Sequence, residues 1–182
     1  PYSFLAHKEI IKIEKRDSIK IKYKPILLGG LHNLHGIKAP AFIPAKARHM
    51  IRDCKLIAEK NNISFKFNSY FPIKSLNLMR GVLVAEEDNF KSYYIDSIYN
   101  AIWQDGLNLN DENIFQKILK NLNINPKTFL LRLASSSIKN YLKKKTSEAY
   151  EKGIFGAPSF VINNKIFWGQ DRIEFVLSEA KK

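Results

Sequence analysis

The chain has 182 residues, with 30 Lys and Arg against 17 Asp and Glu, and a formal net charge of +13. No run approaches the ~18 consecutive apolar residues of a membrane-spanning helix, and the single cysteine, Cys54, excludes an intrachain disulfide framework. A basic chain can dock on nucleic acid, but here Lys greatly outnumbers Arg, the better reader of bases and phosphates, and the lysines run from Lys8 to Lys182. The expectation is one compact domain carrying an insertion, with no membrane and no nucleic-acid partner, in a reducing, cytoplasmic setting.

Residues 3–15 carry Phe4, Leu5, Ile10, Ile11 and Ile13 and read as a helix entered through Pro1. In the run SIKIKYK, Ile19, Ile21 and Tyr23 alternate with Lys20, Lys22 and Lys24, the period of two of a half-buried strand, and Pro25 limits it. Gly29 to Pro44 reads as a loop. Ala47, Met50, Ile51, Cys54, Ile57 and Ala58 then form a helical stripe that Arg48, Arg52, Lys55 and Glu59 avoid. Cys54 sits on that stripe, so packing is expected of it rather than reactivity.

More helical stripes follow: Leu76, Met79 and Leu83; then Tyr94, Ile95, Ile98, Ala101 and Ile102. Asp111 is placed to cap a helix bearing Ile114, Phe115, Ile118 and Leu119, and Pro126 to open one bearing Phe129, Leu130 and Leu133. A last one carries Ile138, Tyr141 and Leu142 and stops at Gly153. The tail changes period. PSFVI and KIFW read as two strands joined at Asn163-Asn164, a pair suited to a tight turn, and Asp171 is placed to cap a closing helix with Ile173, Val176 and Leu177. Helix, strand, helical block, hairpin and helix imply an α/β layer split by an all-helical insertion. Such a layer normally opens on a strand. The first strand, like the initiator Met, is therefore expected to lie before Pro1.

The most informative stretch is GIFGAPSFVINNKIFWGQDR, residues 153–172. Gly153, Phe155, Gly156 and Pro158, then Trp168, Gly169, Asp171 and Arg172, stand at the fixed positions of a G-x-F-G-x-P, hairpin, W-G-x-D-R pattern. PYSFLA at 1–6, IPAKARHMIRD at 43–53, Leu76 with Arg80, and AIWQDGLNLND at 101–111 extend the match in order. The chain so resembles the 2-hydroxychromene-2-carboxylate isomerases and the related kappa-class glutathione transferases, in the DsbA-like branch of the thioredoxin superfamily.

That resemblance implies a thioredoxin-like α/β fold with a large all-helical insertion, residues 1–32 and 150–182 forming the first and 33–149 the second. It implies glutathione as cofactor. Ala157, ahead of a cis Pro158, would offer its backbone to the cysteinyl part. Trp168, Gly169, Gln170 and Asp171 would hold the γ-glutamyl end, with Asp171 at the ammonium, and Lys46 the glycine carboxylate. The catalytic group of the family is a serine expected immediately before Pro1, outside this chain. Gly36, Ile37, His49 and Lys74 fall where a substrate pocket is expected. Ile37 and Lys74 replace residues that are often Asn in relatives, so glutathione use can be inherited without the chromene specificity.

Ser3 occupies the position of the second cysteine of a DsbA-type enzyme, which removes the resolving thiol of a disulfide oxidoreductase. His32 and His35 share a loop without a cysteine or carboxylate cluster, so no metal site is expected. The implied activity is isomerisation of a small aromatic substrate by reversible thiolate addition. The alternatives are a kappa-like transferase or thiol peroxidase acting on an electrophile and, outside enzymes, a basic binding module. A homodimer is expected by analogy with relatives.

Overall fold

The computed structural model describes residues 1–17 and 19–182, which fall into two compact units. One comprises Pro1–Tyr23, Leu28–Ser64 and Ala149–Lys182; the other comprises Lys24–Leu27 and Phe65–Glu148.

The first, sheet-bearing unit opens with helix α1, Tyr2–Asp17. The carbonyl of Pro1 accepts from the N–H groups of Phe4 and Leu5 at 3.0 and 3.1 Å, so Pro1 starts the helix from just outside it. The apolar face of α1, with Ala6, Ile10 and Ile13, packs against Phe160 and against Ile173 and Val176. Strands β1, Ser159–Ile162, and β2, Lys165–Trp168, pair antiparallel with Ile162 opposite Lys165. Asn163 and Asn164 turn the chain at φ +48° and +60°, the paired positive angles of a two-residue hairpin. Helix α9, Ile173–Ala180, closes the unit.

The run expected to be a strand is not one. Residues 19–24 keep the alternation, lysines out and Ile21 and Tyr23 packed on the core, but no ladder forms. The Ile21 N–H is taken by the Glu14 carboxylate at 2.8 Å, a side chain, where a strand would need a neighbour's carbonyl. Ser18 lies outside the described residues.

The expected loop at 29–44 is also partly ordered. It contains helix α2, Leu28–Leu34, and a 3₁₀ turn, Pro40–Phe42. Gly29 and Gly30 oppose a helix by propensity, but complete burial of Leu31 and near-complete burial of His32 outweigh them. Helix α3, Pro44–Lys60, buries Met50, Cys54 and Ala58, the middle of the expected stripe. It is tied to α1 by the Tyr2 hydroxyl donating to Asp53 at 2.7 Å and by Lys12 donating to the Asn61 carbonyl at 2.8 Å. Residues 33–64 group with the sheet-bearing unit, and the helical unit takes Lys24–Leu27 and Phe65–Glu148 in place of the expected 33–149.

The helical unit holds α4, Leu76–Glu87; α5, Lys91–Trp103; α6, Glu112–Asn121; and α7, Pro126–Leu133. Helix α8, Ser136–Glu151, follows. Asp111 caps α6 by accepting from Asn113 N–H at 2.8 Å, and Asn125 caps α7 through Thr128 N–H at 3.2 Å. The α4 stripe differs from expectation. Leu76 is exposed, and the buried set is Leu78 with the run Gly81–Ala85. Burial all round the second half of α4 hides the one-sided period the sequence was read for. At Gly81 a Cβ would collide with the Tyr94 hydroxyl and stand 3.2 Å from the Phe129 ring, so only glycine admits this packing. Phe129 is the hub, with Tyr94, Phe115 and Phe90 rings 5.6, 6.3 and 6.3 Å away. No helix among the described residues is long and apolar enough to cross a membrane.

Candidate functional site

The site is built where α8 gives way to the hairpin. Gly153 N–H donates to the Tyr150 carbonyl at 2.9 Å and Ile154 N–H to Ala149 at 3.0 Å, which ends the helix. The next carbonyl, that of Ile154, accepts from His35 Nε2 at 2.9 Å, which places the proton on that nitrogen. The His35 ring lies against Tyr150, centroids 4.5 Å apart. Phe155 meets Trp168 at 4.9 Å between centroids. At Gly156 a Cβ would stand 2.6 Å from Trp168 Nε1, so the indole needs the absence of a side chain there.

The Ala157–Pro158 peptide is cis, and the Pro158 carbonyl accepts from Gly169 N–H at 3.0 Å. That bond extends the ladder one step past the Ser159–Trp168 pair, and there the ladder stops. The N–H and C=O of Ala157 make no backbone hydrogen bond among the described residues. The end of the sheet therefore presents one amide and one carbonyl that an extended peptide can pair with.

Gly169, at φ +122°, leads into a 3₁₀ turn, Gln170–Arg172, whose leading amides have no acceptor within the turn. Asp171 is not the cap of the closing helix, as the sequence led one to expect. Helix α9 starts only at Ile173, behind Arg172, with no side-chain cap. The 3₁₀ turn places Asp171 one residue too early. Its carboxylate lies instead beside Gly169 and pairs with Arg172 Nη2 at 3.0 Å, both side chains about half exposed. Trp168 is 53% exposed beside it.

The hairpin thus gathers Ala157, Pro158, Trp168, Gly169, Gln170 and Asp171 along one short stretch of surface. Lys46, in the first turn of α3, and His49, a turn later, are exposed, and among the described residues Lys46 has no ion-pair partner. No hydrogen bond ties either of them to the hairpin among the described residues. Gly36, at φ +66°, and Ile37 close α2 in the same unit. Lys74 belongs to the helical unit, where its N–H donates to Asn110 Oδ1 at 2.9 Å and its side chain is exposed.

Cys54 is fully buried, and burial pushes its thiol up to about 11, well away from a reactive thiolate. Burial, with His35 nearby, lowers the pKa of His32. Among the described residues no cluster of His, Cys, Asp or Glu is suited to a metal. Among the described residues, the end of the hairpin thus sets a backbone amide and carbonyl without backbone partners near the Asp171–Arg172 pair. Sequence reasoning gave His35 no role, and nothing in the residues around it signalled the bond to Ile154, which is 119 residues away.

Residues 1–181 match the DSBA-like thioredoxin domain family. The chain belongs to this family. Within it, the similarity runs to a 2-hydroxychromene-2-carboxylate isomerase of Sphingobium xenophagum, 24% identical over 180 residues, covering 98% of this chain and 91% of that protein. An isomerase of the same name from Pseudomonas putida is 22% identical, covering 99% and 88%. Glutathione S-transferase kappa 1 of Rattus norvegicus is 22% identical, covering 97% and 84%. A solved structure of a 2-hydroxychromene-2-carboxylate isomerase superposes with a TM-score of 0.90 at 21% identity, over 100% of this chain and 89% of that one. This DSBA-like chain thus has the thioredoxin-type fold with its helical insertion. Its single thiol is buried, so it carries no DsbA-type cysteine pair.

Proposed function

We propose that this chain is a glutathione-dependent isomerase that interconverts 2-hydroxychromene-2-carboxylate-type compounds and ring-opened aromatic pyruvates. The observation that carries the reading is the backbone of Ala157, which makes no backbone hydrogen bond among the described residues, at the end of a hairpin ladder closed by Gly169 beside Asp171. The names of the relatives that match over nearly the full chain support it.

Glutathione held there would supply a thiolate nucleophile for reversible addition to a conjugated carbon of the substrate, whose carbonyl would take up the electron pair of the double bond. The chain's part is to hold and orient. Ala157 fixes the thiol-bearing residue of the tripeptide through two main-chain bonds, which leave little freedom at the sulfur. Asp171 meets the ammonium, and the leading amides of the 170–172 turn meet the neighbouring carboxylate. Lys46 holds the far carboxylate, and the exposed Trp168 ring forms a wall beside the tripeptide. The excess of lysine draws anionic substrates towards the protein.

Calorimetric titration with glutathione tests the binding half. Wild type binds, while Asp171→Asn and Lys46→Ala each weaken binding by about tenfold, the ~1.4 kcal/mol of a charge-assisted contact. The absorbance of a chromene carboxylate, followed with and without glutathione, tests the chemistry. No glutathione-dependent change would remove the isomerase reading. Consumption of glutathione by a generic electrophile would replace it with the kappa-type transferase that the similarity to the rat protein supports.

A further inference from the structure

The geometry points to His35 as the positioning residue of the tripeptide-binding edge; this rests on the glutathione reading above. His35 stands just past the end of α2, next to Gly36 and Ile37. Its Nε2 donates to the Ile154 carbonyl at 2.9 Å, and its ring packs on Tyr150 at 4.5 Å. Both partners lie in the turn where α8 ends, three and seven residues ahead of Ala157.

Among the described residues, the segment 154–158 is otherwise held at its start by the Ile154 N–H, which donates to the Ala149 carbonyl at 3.0 Å, and beyond that from the hairpin side. Phe155 and Gly156 lean on Trp168, the Gly156 carbonyl accepts from Ser159 Oγ at 2.8 Å, and the Pro158 carbonyl accepts from Gly169 N–H at 3.0 Å. Apart from Ala149, those partners belong to the hairpin and the glycine that follows it. The hairpin is seated on the core through Phe160, and the approach to Ala157 bends at Gly153, whose φ of +78° marks the end of the helix. The His35 bond adds a second clamp on the other side: it fixes the Ile154 carbonyl to the residue that follows α2, where the Ile154 N–H is fixed to α8. Ala157 is thereby held between two anchors, so its amide and carbonyl keep the spacing and direction a peptide backbone needs. His35 does not touch the tripeptide; it sets the geometry of the edge that does.

The chemistry of the bond predicts which replacements preserve it. A glutamine side chain at this position places an amide N–H near the site of Nε2 and donates to the same carbonyl, whereas a leucine side chain fills the space and donates nothing. His35→Leu is expected to weaken glutathione about fivefold, ~1 kcal/mol, with turnover at saturating glutathione within twofold of wild type. His35→Gln is expected to return the affinity to within twofold. In hydrogen exchange, the Gly169 amide, bonded to the Pro158 carbonyl, exchanges faster in His35→Leu and not in His35→Gln.

Equal glutathione affinity in wild type and His35→Leu would overturn the inference while leaving the binding site intact. So would a loss in His35→Leu that His35→Gln shares, because the bond would then not be its cause. A wild-type protein that binds no glutathione defeats the site reading, and this inference with it. The exchange measurement separates that case, since it reports the clamp without any ligand.

Discussion

The two units hold themselves together by different means. The helical unit is organised around rings: Phe129 with Tyr94, Phe115 and Phe90, and Trp103 with Phe65, Phe67 and Phe71 at 6.0, 5.7 and 5.6 Å. Two of its helices carry side-chain caps, whereas α3 and α9 in the sheet-bearing unit have none. The sheet-bearing unit has strands of four residues and leaves Phe155, Trp168 and Phe175 exposed. Polar locks do much of the fastening there. Glu179, buried at the end of α9, takes Lys165 at 2.9 Å, Lys182 at 3.1 Å and Asn163 at 3.3 Å, and His35 holds Ile154. A surface that receives a ligand must leave rings uncovered and backbone groups unpaired, so its own order has to come from contacts placed around it. The helical unit buries Phe129 and Trp103 at the centres of its two ring clusters, while Tyr70, Tyr93 and Leu131 stay exposed on it.

Truncating the hub should break the helical side of this comparison most severely. Phe129→Ala is expected to lower stability by about 3–5 kcal/mol, read by urea unfolding, because it empties the centre of a ring cluster. A loss below ~1 kcal/mol would mean that the cluster is not the core of this unit.

On the sheet-bearing side, Gly156→Ala forces the Trp168 indole to move. The expected loss is about 1–3 kcal/mol of stability, together with a shifted tryptophan emission and weakened glutathione binding. Unchanged emission would show that the indole is not seated on Gly156.

Asp111→Ala removes one cap of the helical unit and is expected to lower stability by ~1 kcal/mol. An Asp111→Asn protein that melts with wild type would identify the cap, rather than the charge, as the cause.

The smallest effect is a pH dependence. Lys165, Lys182 and Asn163 hold the Glu179 carboxyl down to about 2 from an ordinary 4.5. Its folded pKa lies below its unfolded one, so the unfolded chain binds the extra proton in acid. The contribution is complete above about 4.5 and fades as pH falls towards about 2. Glu179→Gln should flatten the stability profile across that window, and a profile parallel to wild type there would show that the lock contributes nothing.

Much of this was legible before any coordinates. Asp111, the Asn163-Asn164 turn, the Gly153 stop and the α3 and α5 stripes each announce themselves within a few residues, because capping and period are local physics. The motif at 153–172 led to the family. What misled were features whose outcome depends on a distant partner. Residues 19–24 have the pattern of a strand, but a ladder needs a neighbour, and Glu14 took the Ile21 amide instead. Gly29-Gly30 looks like a loop until Leu31 is buried, and Asp171 looks like a cap until a 3₁₀ turn moves the helix start.

The sequence by itself determined where the hairpin and every α-helix but α2 run and which short segment bears the candidate site, since periodicity, caps and turn residues act over one or two turns of chain. Only the tertiary structure decided which backbone groups stay unpaired, that Gly81 and Gly156 exist to admit a ring, and that His35 reaches Ile154. Those are matters of contact between residues far apart in the chain, and nothing local encodes who the neighbour will be.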